Sequence, residues 1–355
     1  MKFSKLMLNM ISIIKKGGYM ILIFSEKYDR TTDKVIDWLI FQNKKYLRIN
    51  VDEDVVSDIE ISIPARKSSD DIFKISFTNG KSFALSDVTS CWYRRGGLPF
   101  LSSLIPEEKD LTNAYESDQI AKYIHRYLIK EFQYIQKYFY LLMDRKKVKI
   151  IGSFFNSSIS KLYQLQVAKD VGLTIPETAI LNSKELMGNI FGGKNVITKS
   201  IQDFDMAQDE RLHRIYTLYV NELTAKDTED LPNEFYYSLI QNKIEKKFEI
   251  RAFFLENMIY SMAIFSQNDP KTKLDFRRYN DSRPNRTVPY QLPKHIEVKI
   301  IQFMNALQLN TGSLDLIYSK SGDFVFLEVN PVGQFGMTST PCNYALEEQI
   351  SHFLI

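Results

Sequence analysis

The segment Phe326-Leu327-Glu328-Val329-Asn330-Pro331 sets two oxygen-bearing side chains two residues apart, among apolar neighbours. On a strand alternate side chains share a face, so Glu328 and Asn330 point together. Just upstream, Ser313-Leu314-Asp315-Leu316-Ile317 reads as the partner strand of a hairpin turning at Ser321-Gly322-Asp323, which sets Asp315 across from the pair. Two carboxylates and an amide oxygen are hard ligands suited to Mg²⁺, an ion that keeps several positions for water and phosphate oxygens. A solvated polar edge strand is the blander account. It leaves the apolar Phe326, Leu327 and Val329 unexplained.

A second pair lies in Asp275-Phe276-Arg277, whose charged side chains share a face if the segment is extended. A surface ion pair there is worth little. The functional reading has Arg277 holding a substrate carboxylate bidentately, with Asp275 orienting it or accepting a nucleophile's proton. The turn Arg94-Arg95-Gly96-Gly97 is compatible with an anion site and equally with a basic strand end. Four scattered histidines and two cysteines argue against a zinc knuckle, a Ser-His-Asp centre or a disulfide framework. Catalysis must then come from carboxylates, Arg, Lys and a bound cofactor.

These residues need a scaffold, and the chain supplies an α/β one. At 355 residues, 44% apolar and 25% charged, it has the length for two or three domains and the balance of a globular protein. A net charge of +3 implies neither a nucleic-acid partner nor a membrane surface. No stretch is long and apolar enough to span a bilayer, and the low cysteine usage fits the cytoplasm. Residues 20–25 read as a buried first strand, and residues 1–19 as an extension that is non-native or disordered. Residues 29–43 read as a capped helix, residues 59–84 as a meander with a tight turn at Asn79-Gly80, and residues 88–94 as a further strand. Residues 110–143 carry helical periodicity throughout. Their aromatic part, residues 134–140, reads as core or dimer interface rather than a nucleic-acid platform. Residues 146–156 form a boundary, and from residue 238 onward the pattern is strongly β, broken by a helix near residues 293–307.

Asp on one strand followed by Glu-x-Asn-Pro on the next resembles the active-site hairpin of ATP-grasp ligases. Further residues follow the family's order. Lys161 and Lys199 stand where that fold places nucleotide-contacting lysines. Gln241, Lys243 and Ile244 fit the strand whose backbone receives the adenine edge. Glu249-Ile250-Arg251 is similar to the segment whose arginine reaches toward the transferred phosphate. A narrower resemblance, to the peptide maturases of graspetides (microviridin-like peptides), rests on Asp275-Phe276-Arg277-x-Tyr279, on Pro284-Asn285-Arg286, and on the tail from Asn330-Pro331-Val332-Gly333 to Pro341-Cys342-Asn343-Tyr344. It also takes in the Trp92-Tyr93-Arg94-Arg95 strand end. The loop after Lys199, Ser200-Ile201-Gln202-Asp203-Phe204-Asp205, departs from the general pattern in having no glycine.

The resemblance implies an ATP-grasp fold behind an N-terminal α/β domain: residues 20–148, then a central subdomain of residues 149–236 and a C-terminal one of residues 237–355. It implies ATP and Mg²⁺ as cofactors. Lys161, Lys199, Gln241, Lys243, Ile244 and Glu249 would attend the nucleotide, Asp315, Glu328 and Asn330 the metal, and Arg251, Asp275 and Arg277 the chemistry. The implied reaction activates Glu or Asp side chains of a ribosomal precursor peptide as acyl phosphates and joins them to Thr, Ser or Lys side chains. The implied partner is that precursor with its leader segment, docked in part on residues 201–234, and the implied assembly is a homodimer. A glutamate-adding amino-acid ligase and a non-catalytic peptide-binding module are the alternatives.

Overall fold

A computed structural model describes residues 20–65, 72–99, 105–115, 117–202, 207–209, 214–216, 220–278 and 280–355. The extension expected over residues 1–19, part of the glycine-free loop, much of the candidate leader surface and Tyr279 lie outside the described residues. The chain divides into two compact units, one running to Phe154 and including Leu346–Ile355, the other spanning Phe155–Ala345.

In the first unit four parallel strands lie in the order Tyr46–Asn50, Met20–Ser25, Val88–Tyr93, Lys149–Ile151. A central parallel strand is covered on both faces, hence the unbroken apolar run of the first strand. Asp29 starts the helix Arg30–Phe41 by accepting the N–H groups of Thr31 and Thr32. Arg94 is buried and lies 3.0 Å from the Asp29 carboxylate, and burial lowers its guanidinium to about 10. This end of the strand is therefore tied into the fold by a buried ion pair. Strands Val56–Ser62, Ile72–Phe77 and Ser82–Ala84 form the expected antiparallel meander, with Gly80 at φ +85 in its turn.

The helical run expected over residues 110–143 is two helices, Glu108–Tyr115 and Asp118–Arg145. Ser117 has extended backbone angles and its hydroxyl accepts the Ile120 N–H, so a new helix starts there. The long helix packs Phe132, Phe139, Tyr140 and Met143 into the core with Phe24, Phe73 and Phe83. Helix Leu346–Leu354 also belongs to this unit, although the sequence pattern places it with the C-terminal subdomain. Ser90 donates to the Leu354 carbonyl at 2.6 Å, and Gln42 to Ser351 at 3.2 Å.

Among the described residues the second unit holds a two-stranded ribbon, Ala207–Asp209 with Arg214–Tyr216, and two larger antiparallel sheets. The smaller runs Asn221–Leu223, Val196–Lys199, Glu234–Asn242, Thr178–Ser183, with helix Lys184–Phe191 burying Met187 and Phe191 against it. The larger runs Arg286–Tyr290, Met258–Phe265, Lys246–Leu255, Thr311–Ser319, Phe324–Asn330. Helices Lys161–Asp170 and Lys294–Ala306 cover its apolar face, with Leu165, Ile300 and Phe303 packed on Ile250, Leu314 and Phe326. Its other face carries the candidate site, with Phe253, Met262 and Ile264 buried beside the polar residues. No helix among the described residues is long and apolar enough to cross a membrane.

Candidate active site

Strict alternation would put Phe326, Glu328 and Asn330 on one face of their strand. The register shows why they are not. Leu316 pairs with Phe326 but Asp315 pairs with Glu328, so Leu327 is an extra, bulged residue. The bulge reverses the parity of the strand between Phe326 and Glu328. Phe326 stays in the core with Leu314, Leu316 and Val329, while Glu328 and Asn330 turn to the cleft beside Asp315. The backbone keeps the same account. Phe326 N–H donates to the Thr174 carbonyl at 2.8 Å, and three residues later Val329 N–H donates to the Gln164 side chain at 2.8 Å. Both leave by the strand's open edge, which a regular two-residue repeat forbids. The turn after Asn330 lies close on this hairpin: a Cβ on Gly333 would stand 2.4 Å from the Ser313 Cβ.

Arg251, opposite Asp315 on the next strand, donates to both of its carboxylate oxygens at 2.9 Å. Burial raises Asp315 above the usual carboxylate range, while Arg251 pulls it down. Lys161 and Lys199 converge on the Glu328 carboxylate at 3.5 and 3.9 Å. Burial lowers the Lys199 ammonium, with Glu328 opposing that shift. Among the described residues no three His, Cys, Asp or Glu side chains gather as a metal cage. A cation here would rest on two carboxylates, Asn330 and outside oxygens, which suits Mg²⁺. The Asn330 side-chain oxygen accepts the Val332 N–H at 3.0 Å and retains a second lone pair.

Asp275 grips Arg277 bidentately, at 2.9 Å to Nε and 2.8 Å to Nη2. Burial pushes the Asp275 carboxyl up, but the guanidinium outweighs it and the net shift is downward. The Arg277 head is half exposed toward the cleft. Glu249 is buried on the strand face of Arg251, and desolvation lifts its carboxyl to about 7 despite the adjacent Lys246 ammonium. Lys246 is a site residue that sequence reasoning missed. The Lys246-x-x-Glu249 spacing was the available signal, masked by the charged residues Glu245 and Lys247 on either side.

At the far end, Gln241 donates to the Thr178 hydroxyl at 2.8 Å and Lys243 pairs with Glu222 at 2.7 Å. The N–H groups of Asn242 and Lys243 are taken by the Glu177 and Asn195 carbonyls, and the Glu245 carbonyl by Lys320. Among the described residues no backbone hydrogen bond engages Ile244. Every residue assigned to the nucleotide, the metal or the chemistry except Arg251 lines one cleft of about 680 Å³, and Arg251 reaches it through Asp315. Apolar walls from Pro176, Ile197, Leu316 and Ile317 complete it.

No family model and no curated protein matches the sequence. Solved structures do match. The macrocyclase MdnC bound with precursor peptide MdnA, from Microcystis aeruginosa MRC, aligns at TM-score 0.69 and 22% identity over 94% of this chain and 99% of its own. A Chryseobacterium gregarium RiPP-associated ATP-grasp ligase, in complex with ADP and a leader and core peptide, aligns at 0.71 and 22% over 95% of both chains. The ATP-grasp ligase PsnB, complexed with minimal precursor, Mg and ADP, aligns at 0.64 and 14% over 94% of this chain and 96% of its own. Along nearly its whole length the chain has the fold of the ATP-grasp ligases.

Proposed function

We propose that this chain is an ADP-forming ATP-grasp ligase that cross-links side chains of a ribosomally made precursor peptide. The observation that carries the reading is the meeting, in one cleft, of the Asp315/Glu328 pair, two lysines on Glu328 and the Asp275–Arg277 clamp. The fold supports it, as do structural neighbours described as complexes with precursor peptides and ADP.

A carboxylate is a poor acyl donor because its leaving group would be oxide. Phosphorylation by ATP gives the peptide's Glu or Asp side chain a phosphate leaving group. A Thr, Ser or Lys side chain then attacks the acyl carbon and phosphate departs, with net loss of one water per bond. The cleft's lining carries six cationic and six carboxylate side chains, so a polyphosphate adds uncompensated negative charge. Asp315, Glu328 and Asn330 would hold a Mg²⁺ ion, which would supply that neutralisation. In this reading Lys161 and Lys199 pass from Glu328 to phosphate oxygens, and Ile244 and Gln241 hold the base. Arg251, held by Asp315, would meet the transferred phosphate's charge. Arg277 receives the peptide carboxylate. Asp275, locked on Arg277 and shifted below its usual range, orients that guanidinium and is a weak base. The apolar walls exclude water, which would otherwise hydrolyse the activated acyl group.

The same reading places the enzyme in the cytoplasm, where its two buried free cysteines stay reduced. It also makes the enzyme a homodimer through helix Asp118–Arg145. Incubation with ATP, Mg²⁺ and a Thr- and Glu/Asp-rich precursor peptide, to be sought as a short reading frame beside the gene, should remove one water per bond. Tandem mass spectrometry should place each bond between side chains of one peptide. Gain of free amino acids would support the amino-acid ligase instead, and tight peptide binding without ADP the binding module.

A further inference from the structure

Lys246 opens the strand that carries Glu249 and Arg251, and its side chain is only 7% exposed. An ammonium is costly to bury unless charge and hydrogen bonds hold it. One partner is the Glu249 carboxylate. Another is the Leu274 carbonyl, to which Lys246 Nζ donates at 3.0 Å. That carbonyl shares a planar peptide unit with the Asp275 N–H, so fixing it fixes how the chain enters the loop.

Beyond this point the loop is tightly built. The Asp275 carboxylate accepts the Arg277 N–H at 3.0 Å, and Arg278 N–H donates to the Asp275 carbonyl at 3.1 Å. Phe276 is buried with Met262, Ile264 and Cys342, between the two charged residues. Gln267 donates to the Lys273 carbonyl at 3.1 Å, immediately upstream of the carbonyl held by Lys246. The turn therefore holds its own shape, with Phe276 packed on the strand of Met262 and Ile264, and Lys246 adds a polar attachment to the neighbouring strand.

We propose that Lys246 is a positioning residue whose buried ammonium fastens the Asp275–Arg277 loop to the strand of Glu249 and Arg251, and so aims Arg277 into the cleft. The inference rests on the reading of Asp275 and Arg277 as the peptide-carboxylate site. Lysine suits such a position because its compact head offers three donors to partners that are not coplanar, where a guanidinium demands a planar fork.

Lys246→Met alone would strand a buried Glu249 and risks unfolding. The charge-balanced Lys246→Met/Glu249→Gln variant is therefore compared with Glu249→Gln, and both again with Arg277→Ala added. Each is measured for thermal midpoint, ATP affinity by titration, and kcat/KM for the peptide. Removing Lys246 should lower kcat/KM by about tenfold or more while ATP affinity stays within about threefold. Adding Arg277→Ala should then cost much less than it does with Lys246 present, the signature of coupled residues. Unchanged kcat/KM, or losses that multiply independently, would overturn the role. An equal loss of ATP affinity would also overturn it, by making Lys246 a nucleotide contact. If Arg277→Ala itself keeps full product formation, the reading of the loop fails first and this role with it.

Discussion

Glu249 is a carboxyl poised to change charge near neutrality, because its strand position buries it on the cleft face. Burial lifts it from 4.5 to about 7, with the Lys246 ammonium pulling the other way. A group whose folded pKa lies above its unfolded one adds stability that is fully present below the unfolded pKa. That contribution is lost as pH rises through the folded value. The wild type should therefore lose stability relative to Glu249→Gln between pH 4.5 and about 7, with the difference levelling off above. Thermal midpoints of the two proteins across that range measure it. A constant difference would mean that Lys246 keeps the carboxylate ionised throughout.

At the scale of elements, the bulge at Leu327 decides the site. It reconciles an apolar core position with two polar positions that face the cleft, but turns the Val329 N–H to the open edge of the sheet. Gln164, buried on the helix that begins with Lys161, accepts that N–H and donates to the Ile159 carbonyl at 3.0 Å. Gln164→Leu leaves a buried donor unpaired and should cost about 1–3 kcal/mol. Gln164→Glu keeps an acceptor for Val329 and should cost less. Denaturant unfolding gives the energies, and hydrogen exchange at Val329 should quicken in the leucine variant. If it does not, the helix holds the strand by other contacts. Glu328, Asn330 and Asp315 were legible in the sequence because their residue types and spacing are local. The bulge was not, because a two-residue period assumed along the strand hides any shift of register. Lys246 and Gln164 were hidden for a related reason: each acts on backbone far away in sequence, and no local pattern marks such a partner.

On the scale of the whole chain, the buried first strand and the Asp315–Glu328 hairpin were readable, since continuous apolar runs and alternating ones are distinct signals. The return of helix Leu346–Leu354 to the first unit was not, because amphipathicity states which face is buried and not against what. The same limit leaves the partner of helix Asp118–Arg145 to be argued from its surface. Ile120, Tyr127, Tyr134 and Leu141 are exposed at intervals of seven along this 28-residue helix, which is about 42 Å long. A seven-residue apolar repeat is the seam of paired helices. The pattern is symmetric about the midpoint between residues 130 and 131. Two antiparallel copies thus set Ile120 against Leu141, Tyr127 against Tyr134, and Lys130 of each against Glu131 of the other. In sedimentation the wild type should run at twice its 41.5 kDa chain mass. Lys130→Glu puts like charges across the axis and should weaken the dimer by about tenfold in dissociation constant. Adding Glu131→Lys restores opposite charges and should recover it, which a merely destabilised helix would not do. A wild type that sediments as a monomer at micromolar concentration, or a charge swap that rescues nothing, would remove this helix from the interface.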